Sequence, residues 1–432
     1  MKKKIIASTV ILVAISLIAK ILSFFVRILL ARKLSNDAMN YYTLAAPTMV
    51  FCITLAQMGI PNALSKVVAQ SNNTKNPLLI SIFLSLGNNI CLCFIYTLSI
   101  PFLAQYILKQ KELTPILYAI LPLVPLVSIS GILKGYLLGI QKHIKANLCQ
   151  IFEEIARMLF LYFIFIIHPY MDVITMAKVA MYSISIGEAC SCFYMLYALN
   201  IPIKKVRQLP SSFHQVHRQQ FYEILSISIP ITGSRFIGSL TYFLEPIIMV
   251  IGLTTIQADE MVQAYGQLNA YILPIITMPS FLTITLSNFL LPSFTYHYTR
   301  KRYHHAQKLF MTILFGCFFV GIGFSILCFL YPEQIMQIIY HKTQGATLLK
   351  QLAIPFSLYA LQPVLSSMLH ALSLSKKSVI DTFIGSITRL TIIYLFTSTM
   401  QSNILPIALT IGMLVTTIMH ALRLSIALRQ NI

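Results

Sequence analysis

The run IIASTVILVAISLIAKILSFFVRILL, residues 5–30, decides the fold. Its roughly 26 residues rise ~1.5 Å each along a helix, enough to cross the ~30 Å hydrocarbon core of a bilayer. Two cations, Lys20 and Arg27, interrupt the run seven residues apart and therefore share one helix face. Because a charge at the bilayer centre costs at least ~2.5 kcal/mol, this face predicts partner helices or a wet cavity. Two alternatives stay open: both cations pair with acids inside a packed bundle, or Arg27 extends outward from the helix end.

The composition of the whole chain is that of a membrane protein. Of its 432 residues, 57% are hydrophobic and only 10% are charged, whereas a soluble domain carries about 25% charged residues. The amino terminus, MKKK before an apolar run, resembles a signal peptide, but the length and cations of that run favour an uncleaved first helix. The eight cysteines lie in or at apolar runs without zinc spacing, which predicts reduced, buried thiols and no metal site.

Apolar segments follow one another along the chain, so we predict an all-α polytopic membrane protein with about twelve transmembrane helices. Polar loops, here called joints, separate the segments, and each boundary is defined to about four residues. The predicted segments lie near residues 5–30, 41–68, 78–100, 115–140, 147–168, 172–199, 222–252, 264–292, 306–331, 346–374, 378–399 and 402–428.

The positive charges of the joints alternate along the chain, as the positive-inside rule requires. One set of joints, which includes residues 200–220 and 297–305, is rich in Lys and Arg, whereas the other, which includes 254–262, mixes both signs. We therefore predict a multi-pass cell-membrane protein with the first set and both termini in the cytoplasm. This bias accounts for the formal net charge of +20, so we expect no nucleic-acid partner, although the basic joints also suit anionic membrane lipids.

The long basic joint at 200–220 divides the chain into two halves, which we place at residues 1–205 and 206–432. Weak matches recur between these halves at a nearly constant offset, which indicates a duplicated six-helix unit. Duplication predicts two pseudo-symmetric six-helix lobes around a central cavity, the natural place for a transported molecule. At an offset of 232, the matched pairs are Lys145 and Lys377, Arg157 and Arg389, and Tyr162 and Tyr394.

Charged residues inside the predicted spans mark candidate sites. In the fifth span, Gln150, Glu153, Glu154 and Arg157 follow the spacing i, i+3, i+4, i+7 and so lie on one helix face. Glu153 and Arg157 also have the spacing of an intrahelical ion pair, which is a purely structural alternative. Other spans contribute Lys178, Glu188, Arg235, Glu245 and Arg389.

Six stretches, in order along nearly the whole chain, carry a family resemblance. They are KILSFFVRILLARKLS (20–35), YYTLAAPTMVFCITLAQMGIPNALSKVVAQ (41–70), GYLLGIQKHIKANLCQIFEEIAR (135–157), SIPITGSRFIGSLTYFLEP (228–246), YGQLNAYILPIITMPSFLTITLSNFLLPS (265–293) and LQPVLSSMLHALSLSKKSVI (361–380). They resemble the stage V sporulation protein B branch of polysaccharide exporters, in the multidrug/oligosaccharidyl-lipid/polysaccharide flippase superfamily. The resemblance implies two six-helix lobes, a central cavity and export of a lipid-linked sugar.

The resemblance also bears on single residues. Lys20 and Arg27 lie where related lipid II flippases carry cations in their first helix. The chain departs from those flippases at Ile28, where they have an acid, and at Pro274, where they have an arginine. The substrate implied is therefore a peptidoglycan or polysaccharide precursor of undefined sugar.

These observations predict a flippase that moves a lipid-linked oligosaccharide, or a peptidoglycan or polysaccharide precursor, by alternating access. We expect it to act as a monomer without a cofactor. Arginine can bind the pyrophosphate of such a lipid through bidentate hydrogen bonds, and lysine can bind it as a point charge. The expected head-group contacts are Lys20, Arg27, Arg157 and Arg235, tuned by Glu153 and Glu154.

Other functions stay open. A cation-coupled multidrug exporter of the same superfamily would need acids such as Glu188 and Glu245. A membrane glycosyl- or acyltransferase would need a polar catalytic loop, which the short outer joints lack, so we expect no enzyme. A scaffold without transport would not need charges inside its spans. The sequence has no GxxxxGK[ST] motif, so a membrane potential or an ion gradient is the expected energy source.

Overall fold

The computed structural model describes the backbone of residues 2–70, 75–199, 218–251, 253, 255–372 and 374–430, and the regular elements within these ranges are all helices. The predicted all-α class is therefore confirmed. The chain divides into two compact units, Met1–Phe243 and Leu244–Ile432. The predicted boundary between residues 205 and 206, and most of the predicted joint at 200–220, lie outside the described residues, and Arg218–Gln220 already belong to a helix.

Long apolar helices make up most of the first unit, and α9 continues beyond Phe243. Apolar side chains such as Phe94 and Leu98 are exposed on them, as expected of a surface that faces lipid. The helices are α1 (Lys2–Lys33), α2 (Asn36–Gln57), α3 (Ile60–Gln70), α4 (Lys75–Phe102), α5 (Thr114–Tyr118), α6 (Leu123–Gly139), α7 (His143–Ile167), α8 (Val173–Leu199) and α9 (Arg218–Val250).

The predicted single span at 41–68 is two helices, α2 and α3. The Oγ atom of Ser35 caps α2 by accepting a hydrogen bond from the N–H of Ala38 at 3.2 Å. The helix ends at Met58 and Gly59, whose φ angles of 44° and 62° lie in the left-handed region. An added Cβ atom at Gly59 would lie 2.8 Å from the carbonyl oxygen of Ser228, so this position needs glycine for space as well as for φ. A hydrophobicity pattern does not detect such a break.

Three glycines spaced by four residues, Gly131, Gly135 and Gly139, lie where α6 meets α3. A Cβ atom at Gly135 would lie 2.3 Å from the carbonyl oxygen of Pro61, so the two backbones are in direct contact. Small residues let membrane helices approach in this way. Apolar side chains complete the contact: Ile60, Leu64, Val68 and Ile132.

The second unit contains two interrupted spans, where single spans were predicted at 264–292 and 346–374. A π-helical turn, Leu268–Ile272, follows α10, and the helix axis then bends by 56° before α12. A 3₁₀ turn, Ser357–Leu361, separates α15 from α16. The helices are α10 (Thr255–Gln267), α11 (Leu273–Ile276), α12 (Ser280–Thr299), α13 (Tyr303–Leu330), α14 (Pro332–Tyr340), α15 (Ala346–Phe356), α16 (Gln362–Ala371), α17 (Ser375–Met400) and α18 (Ile404–Gln430).

Two predicted polar joints of this unit are partly helical. The joint predicted at 254–262 contains the start of α10, and the joint between the predicted segments 306–331 and 346–374 contains α14. The short helix α14 is amphipathic, and its residues Met336 and Tyr340 are buried. Because only one face of α14 is apolar, its average polarity resembles that of a loop, and the sequence pattern therefore predicted a joint here.

Eight helical stretches within the described residues are long and apolar enough to cross a membrane, or nine if the bent pair counts as one span. One of these stretches, Ser375–Leu428, comprises both α17 and α18. The charge-bearing helices α7 and α9 are not among them. All twelve predicted segments nevertheless coincide with helices, and the prediction of a multi-pass membrane protein is confirmed.

Candidate functional site

The two cations of α1 differ in exposure. The side chain of Lys20 is half-buried, whereas that of Arg27 is exposed. Each directly follows a buried residue, Ala19 and Val26 respectively, and is therefore rotated by about 100° from it around the helix. Because α1 packs against α7, the cations lie at the edge of the buried face of α1 rather than at its centre.

On α7, the predicted polar face forms an ion pair. The Nη1 atom of Arg157 donates to Oε2 of Glu154 at 3.1 Å, and each of these side chains is only 12% exposed. Of the two acids with suitable spacing, the structure therefore pairs Arg157 with Glu154 at i, i+3. The buried Nε atom of Arg157 has no hydrogen-bond acceptor among the described residues.

Helices α6 and α8 add further charged groups to this face of α7. Glu188 of α8 lies near the side chain of Ser130 and interacts electrostatically with Lys134 and Arg157. Glu153 in turn interacts with Glu188 and Lys134. The first unit therefore holds a cluster of three acids and two bases on three neighbouring helices.

A glycine makes room for this cluster. A Cβ atom at Gly187 of α8 would lie 2.5 Å from Cγ of Arg157 and 3.0 Å from the backbone oxygen of Glu153. The aliphatic part of the Arg157 side chain therefore packs directly over the backbone of α8. This contact holds the guanidinium in one place without using its charge.

The last predicted cation of this unit, Arg235, lies on α9. Its side chain is exposed, and its Nη1 atom donates to Oε1 of Gln57 on α2 at 3.4 Å. This is a long hydrogen bond to a neutral group, so it leaves the positive charge of Arg235 uncompensated by that partner.

In the second unit, Glu245 forms an ion pair with Arg389 of α17. The side chain of Glu245 is 2% exposed and that of Arg389 is 21% exposed. Such burial requires a countercharge, since an isolated carboxylate is very costly to remove from water. Arg389 is positioned where α17 meets α18, because a Cβ atom at Gly412 would lie 2.9 Å from Cβ of Arg389.

A second buried group of charges joins α17 and α18. Asp381 is fully buried, and its Oδ1 atom accepts a hydrogen bond from Nε of Arg423 at 2.5 Å. Its Oδ2 atom lies 3.3 Å from Nδ1 of His420. The Nε2 atom of His420 lies 3.2 Å from Oγ of Ser378, within hydrogen-bond distance.

A cavity of about 460 Å³ lies within the second unit, beside both charge groups. Its lining is a mixture of apolar and polar side chains, with hydroxyl and amide groups beside one guanidinium and one imidazole. The polar lining includes Gln362, Ser366, Thr382, Ser386, Arg389, Thr416 and His420.

Sequence reasoning missed part of both sites. Lys134 lies inside the predicted span at 115–140 and Asp381 inside that at 378–399, so a search for every charge within a span would have found them. Their partners could not be inferred, because Asp381 and Arg423 are 42 residues apart in the chain. Within the part of the chain that the structure describes, no three His, Cys, Asp or Glu side chains come together as a metal site.

Comparison with known proteins gives consistent results over nearly the whole chain. Residues 5–296 match the family described as polysaccharide biosynthesis protein. Stage V sporulation protein B of Bacillus subtilis (strain 168) is 30% identical over 446 residues, which cover 98% of this chain and 84% of that protein. Sporulation protein YkvU of the same organism is 22% identical over 426 residues, which cover 96% of this chain and 93% of that protein.

Solved structures with the same fold are transporters. An inward-facing multidrug resistance MATE family transporter of the MOP superfamily superposes with a TM-score of 0.75 at 15% identity, covering 98% of both chains. Lipid II flippase MurJ in an inward closed conformation superposes with a TM-score of 0.70 at 13% identity, covering 96% of this chain and 87% of that one. At such identities the likeness concerns the fold alone, and it confirms the predicted fold class of about twelve membrane helices in two lobes.

Proposed function

We propose that this chain, which belongs to the polysaccharide biosynthesis protein family, is a flippase for a lipid-linked saccharide precursor in the cell membrane. The resemblance inferred from the sequence is thereby confirmed at the level of the family. The observation that carries the proposal is this membership over nearly the whole length, on a fold shared with a lipid II flippase. We expect transport without catalysis.

The cations of the first unit supply the chemistry that such a substrate needs. A lipid-linked saccharide carries a pyrophosphate, which arginine and lysine bind through charge-assisted hydrogen bonds. Arg27 and Arg235 are exposed, and Arg157 keeps a donor, Nε, without an acceptor among the described residues. We assign these residues, with Lys20, to head-group binding, and Glu153 and Glu154 to holding Arg157 in position.

Alternating access follows from the chemistry of the substrate. The polar head cannot cross the hydrocarbon core without polar contacts, whereas the apolar tail is stable in lipid throughout. The two units would move relative to one another, so that the cations meet the pyrophosphate from the cytoplasmic side and release it on the other. Both termini are cytoplasmic in this scheme, and one copy of the chain is sufficient.

A cation-coupled multidrug exporter is the second candidate, because one similar structure is a multidrug resistance transporter. Such a protein would need acids available for an organic cation. Here Glu245 is paired with Arg389, and Glu188 lies among Lys134, Arg157 and Ser130. The charge of Glu245 is therefore already compensated. Glu188 shares its two bases with Glu153 and Glu154 inside one cluster. The pairing of Glu245 favours the flippase.

Vesicles that contain the purified protein and a labelled lipid-linked saccharide test the proposal. Lys20→Gln and Arg27→Gln should each reduce translocation roughly tenfold or more, because a hydrogen bond to a charged group contributes ~1.5 to 3 kcal/mol. Lys33→Gln, which removes an exposed cation from the last turn of the same helix, is the matched control and should translocate normally.

Two other outcomes would contradict these assignments. If Lys20→Gln and Arg27→Gln proteins translocate as well as Lys33→Gln, the cations do not bind the head group. If the parent protein exports organic cations, and Glu188→Gln or Glu245→Gln abolishes that export, the exporter replaces the flippase.

A further inference from the structure

Polar side chains of the second unit form a continuous chain of contacts from the surface to a buried carboxylate. The chain begins at the exposed His370, whose Nε2 atom lies 3.3 Å from Oγ of Ser366. Oγ of Ser366 lies 3.3 Å from Oγ of Ser378, which lies 3.2 Å from Nε2 of His420. Nδ1 of His420 then lies 3.3 Å from Oδ2 of the fully buried Asp381. The first three contacts are long hydrogen bonds, and the last is within ion-pair distance.

The inner end of this chain fixes which nitrogen of His420 carries its proton. Arg423 occupies Oδ1 of Asp381, but Oδ2 of Asp381 and Nδ1 of His420 are both buried and have no hydrogen bond among the described residues. Two such atoms that face one another as acceptors are unfavourable, because a buried polar atom without a partner costs free energy. The neutral imidazole satisfies both atoms when its own proton is on Nδ1 and directed at the carboxylate, which leaves Nε2, beside Oγ of Ser378, as the nitrogen that accepts a further proton.

The residues between the surface and this pair can conduct a proton. A serine hydroxyl both donates and accepts, and an imidazole has one nitrogen of each kind when neutral. A proton that binds His370 can therefore be passed through Ser366 and Ser378 while every hydroxyl in the row reverses its direction. The hydroxyl proton of Ser378 passes to Nε2 of His420, so the imidazole becomes an imidazolium with Nδ1–H directed at Asp381, and no other group changes its charge.

The neighbouring charged groups determine the net charge of the site after His420 is protonated. Asp381 and Arg423 compensate one another, so protonation of His420 changes the local net charge from zero to plus one. His420 and Ser366 also line the cavity of the second unit. Other titratable groups on the helices that pack here are Lys376, Lys377 and Arg389 on α17, His370 on α16, Lys350 on α15, Tyr359 in the 3₁₀ turn, and Glu245, which is paired with Arg389.

We propose that Asp381 and His420 form a proton-binding site that is loaded through His370, Ser366 and Ser378, and that its occupation is coupled to the transport cycle. The coupling rests on the proposed function, but the site itself does not. Neither Lys376 nor Lys377 can replace His420 in this role, because both are exposed at the start of α17.

A pH jump applied to the purified full-length protein, followed with a pH-sensitive dye, tests the site without any substrate. Between pH 8 and pH 5, about where histidine titrates, the parent should take up one proton in a distinct kinetic phase. His420→Gln should lose this phase, and Ser378→Ala should slow it roughly tenfold or more by interrupting the chain. The controls are His143→Gln and Ser425→Ala, which alter exposed residues outside the chain and should keep the phase. A phase that persists in His420→Gln, or that is equally fast in Ser378→Ala and Ser425→Ala, overturns the site.

Vesicles with an imposed proton gradient test the coupling. The gradient should change the translocation rate of the parent and of His143→Gln, and it should leave the rate of His420→Gln unchanged. A response in His420→Gln equal to that of the parent overturns the coupling, and so does a parent that responds to a sodium gradient alone. If the parent moves no lipid-linked saccharide at all, the proposed function fails, while the pH jump still decides whether the proton site exists.

Discussion

Replacing Arg389 by methionine should destabilise the second unit strongly. The substitution keeps an apolar stem of similar length between α17 and α18 but removes the charge that neutralises Glu245, whose side chain is 2% exposed. Removing one partner of a buried ion pair costs ~3 to 5 kcal/mol. Because 1 kcal/mol shifts the midpoint of thermal unfolding by about 2 to 4 °C in a unit of 150–250 residues, we expect Arg389→Met to unfold roughly 6 to 20 °C below the parent.

Size-exclusion chromatography of a fluorescently tagged protein after stepwise heating measures this shift, and the tag is needed because the chain has no tryptophan. Arg302→Met, which removes an exposed arginine, is the control and should unfold within about 2 °C of the parent, since exposed charges contribute little.

The double variant separates the loss of a countercharge from a loss of packing. Arg389→Met combined with Glu245→Met removes both charges and should recover most of the lost stability, because apolar residues can replace a buried pair at little cost. Arg389 does not act as the countercharge of Glu245 if Arg389→Met unfolds at the same temperature as Arg302→Met, or if the double variant is no more stable than Arg389→Met.

Three further predictions concern the first unit. Gly135→Ala should lower the folded yield, because its Cβ atom would lie 2.3 Å from a backbone oxygen of α3. Gly87→Ala, which has open space around it, is the control and should fold normally. Chromatography measures both yields, and equal yields would contradict the close contact between α6 and α3. Arg157→Ala should lower the free energy of unfolding by ~3 to 5 kcal/mol, because it leaves the buried charge of Glu154 without a partner. Adding Glu154→Ala should restore part of this stability. Normal folding of Arg157→Ala with loss of transport would instead identify a pure substrate contact. When the eight native cysteines are replaced, a cysteine at Tyr170, which is 99% exposed between α7 and α8, should react with an impermeant thiol reagent only from outside the cell. A protease site at the amino terminus should be cut only from inside, and access to both from one side would overturn the predicted topology.

The helices of this fold could be predicted from hydrophobic runs, because a bilayer requires each span to be long, apolar and internally hydrogen-bonded. The interruptions could not. Met58 and Gly59 end α2 through backbone conformation and a contact with Ser228, and neither leaves a gap in the hydrophobic pattern. The same reason explains α14, whose single apolar face has the overall polarity of a loop.

The charge clusters were predictable only where local spacing defines them. The polar face of α7 follows from i, i+3 and i+4 distances, yet spacing alone did not distinguish Glu153 from Glu154 as the partner of Arg157. That choice depends on the neighbouring helices, since Glu153 has Glu188 and Lys134 as further electrostatic neighbours. The pair of Glu245 and Arg389 joins residues 144 positions apart, and no local pattern connects them.

The two units differ in how their intramembrane charges balance, and this difference suggests separate tasks. In the second unit, Glu245 and Asp381 are each matched by one arginine, Arg389 and Arg423, so the group is neutral until a proton arrives at His420. In the first unit, the three acids around Arg157 face two bases in the same cluster, and three more cations lie on α1 and α9. The cations on α1 and α9 suit an anionic head group, whereas a neutral, closed pair suits a site that responds to a single proton. If the division is correct, neutral substitutions of Lys20 and Arg27 weaken substrate binding at every pH, whereas His420→Gln leaves binding intact and removes only the response to a proton gradient.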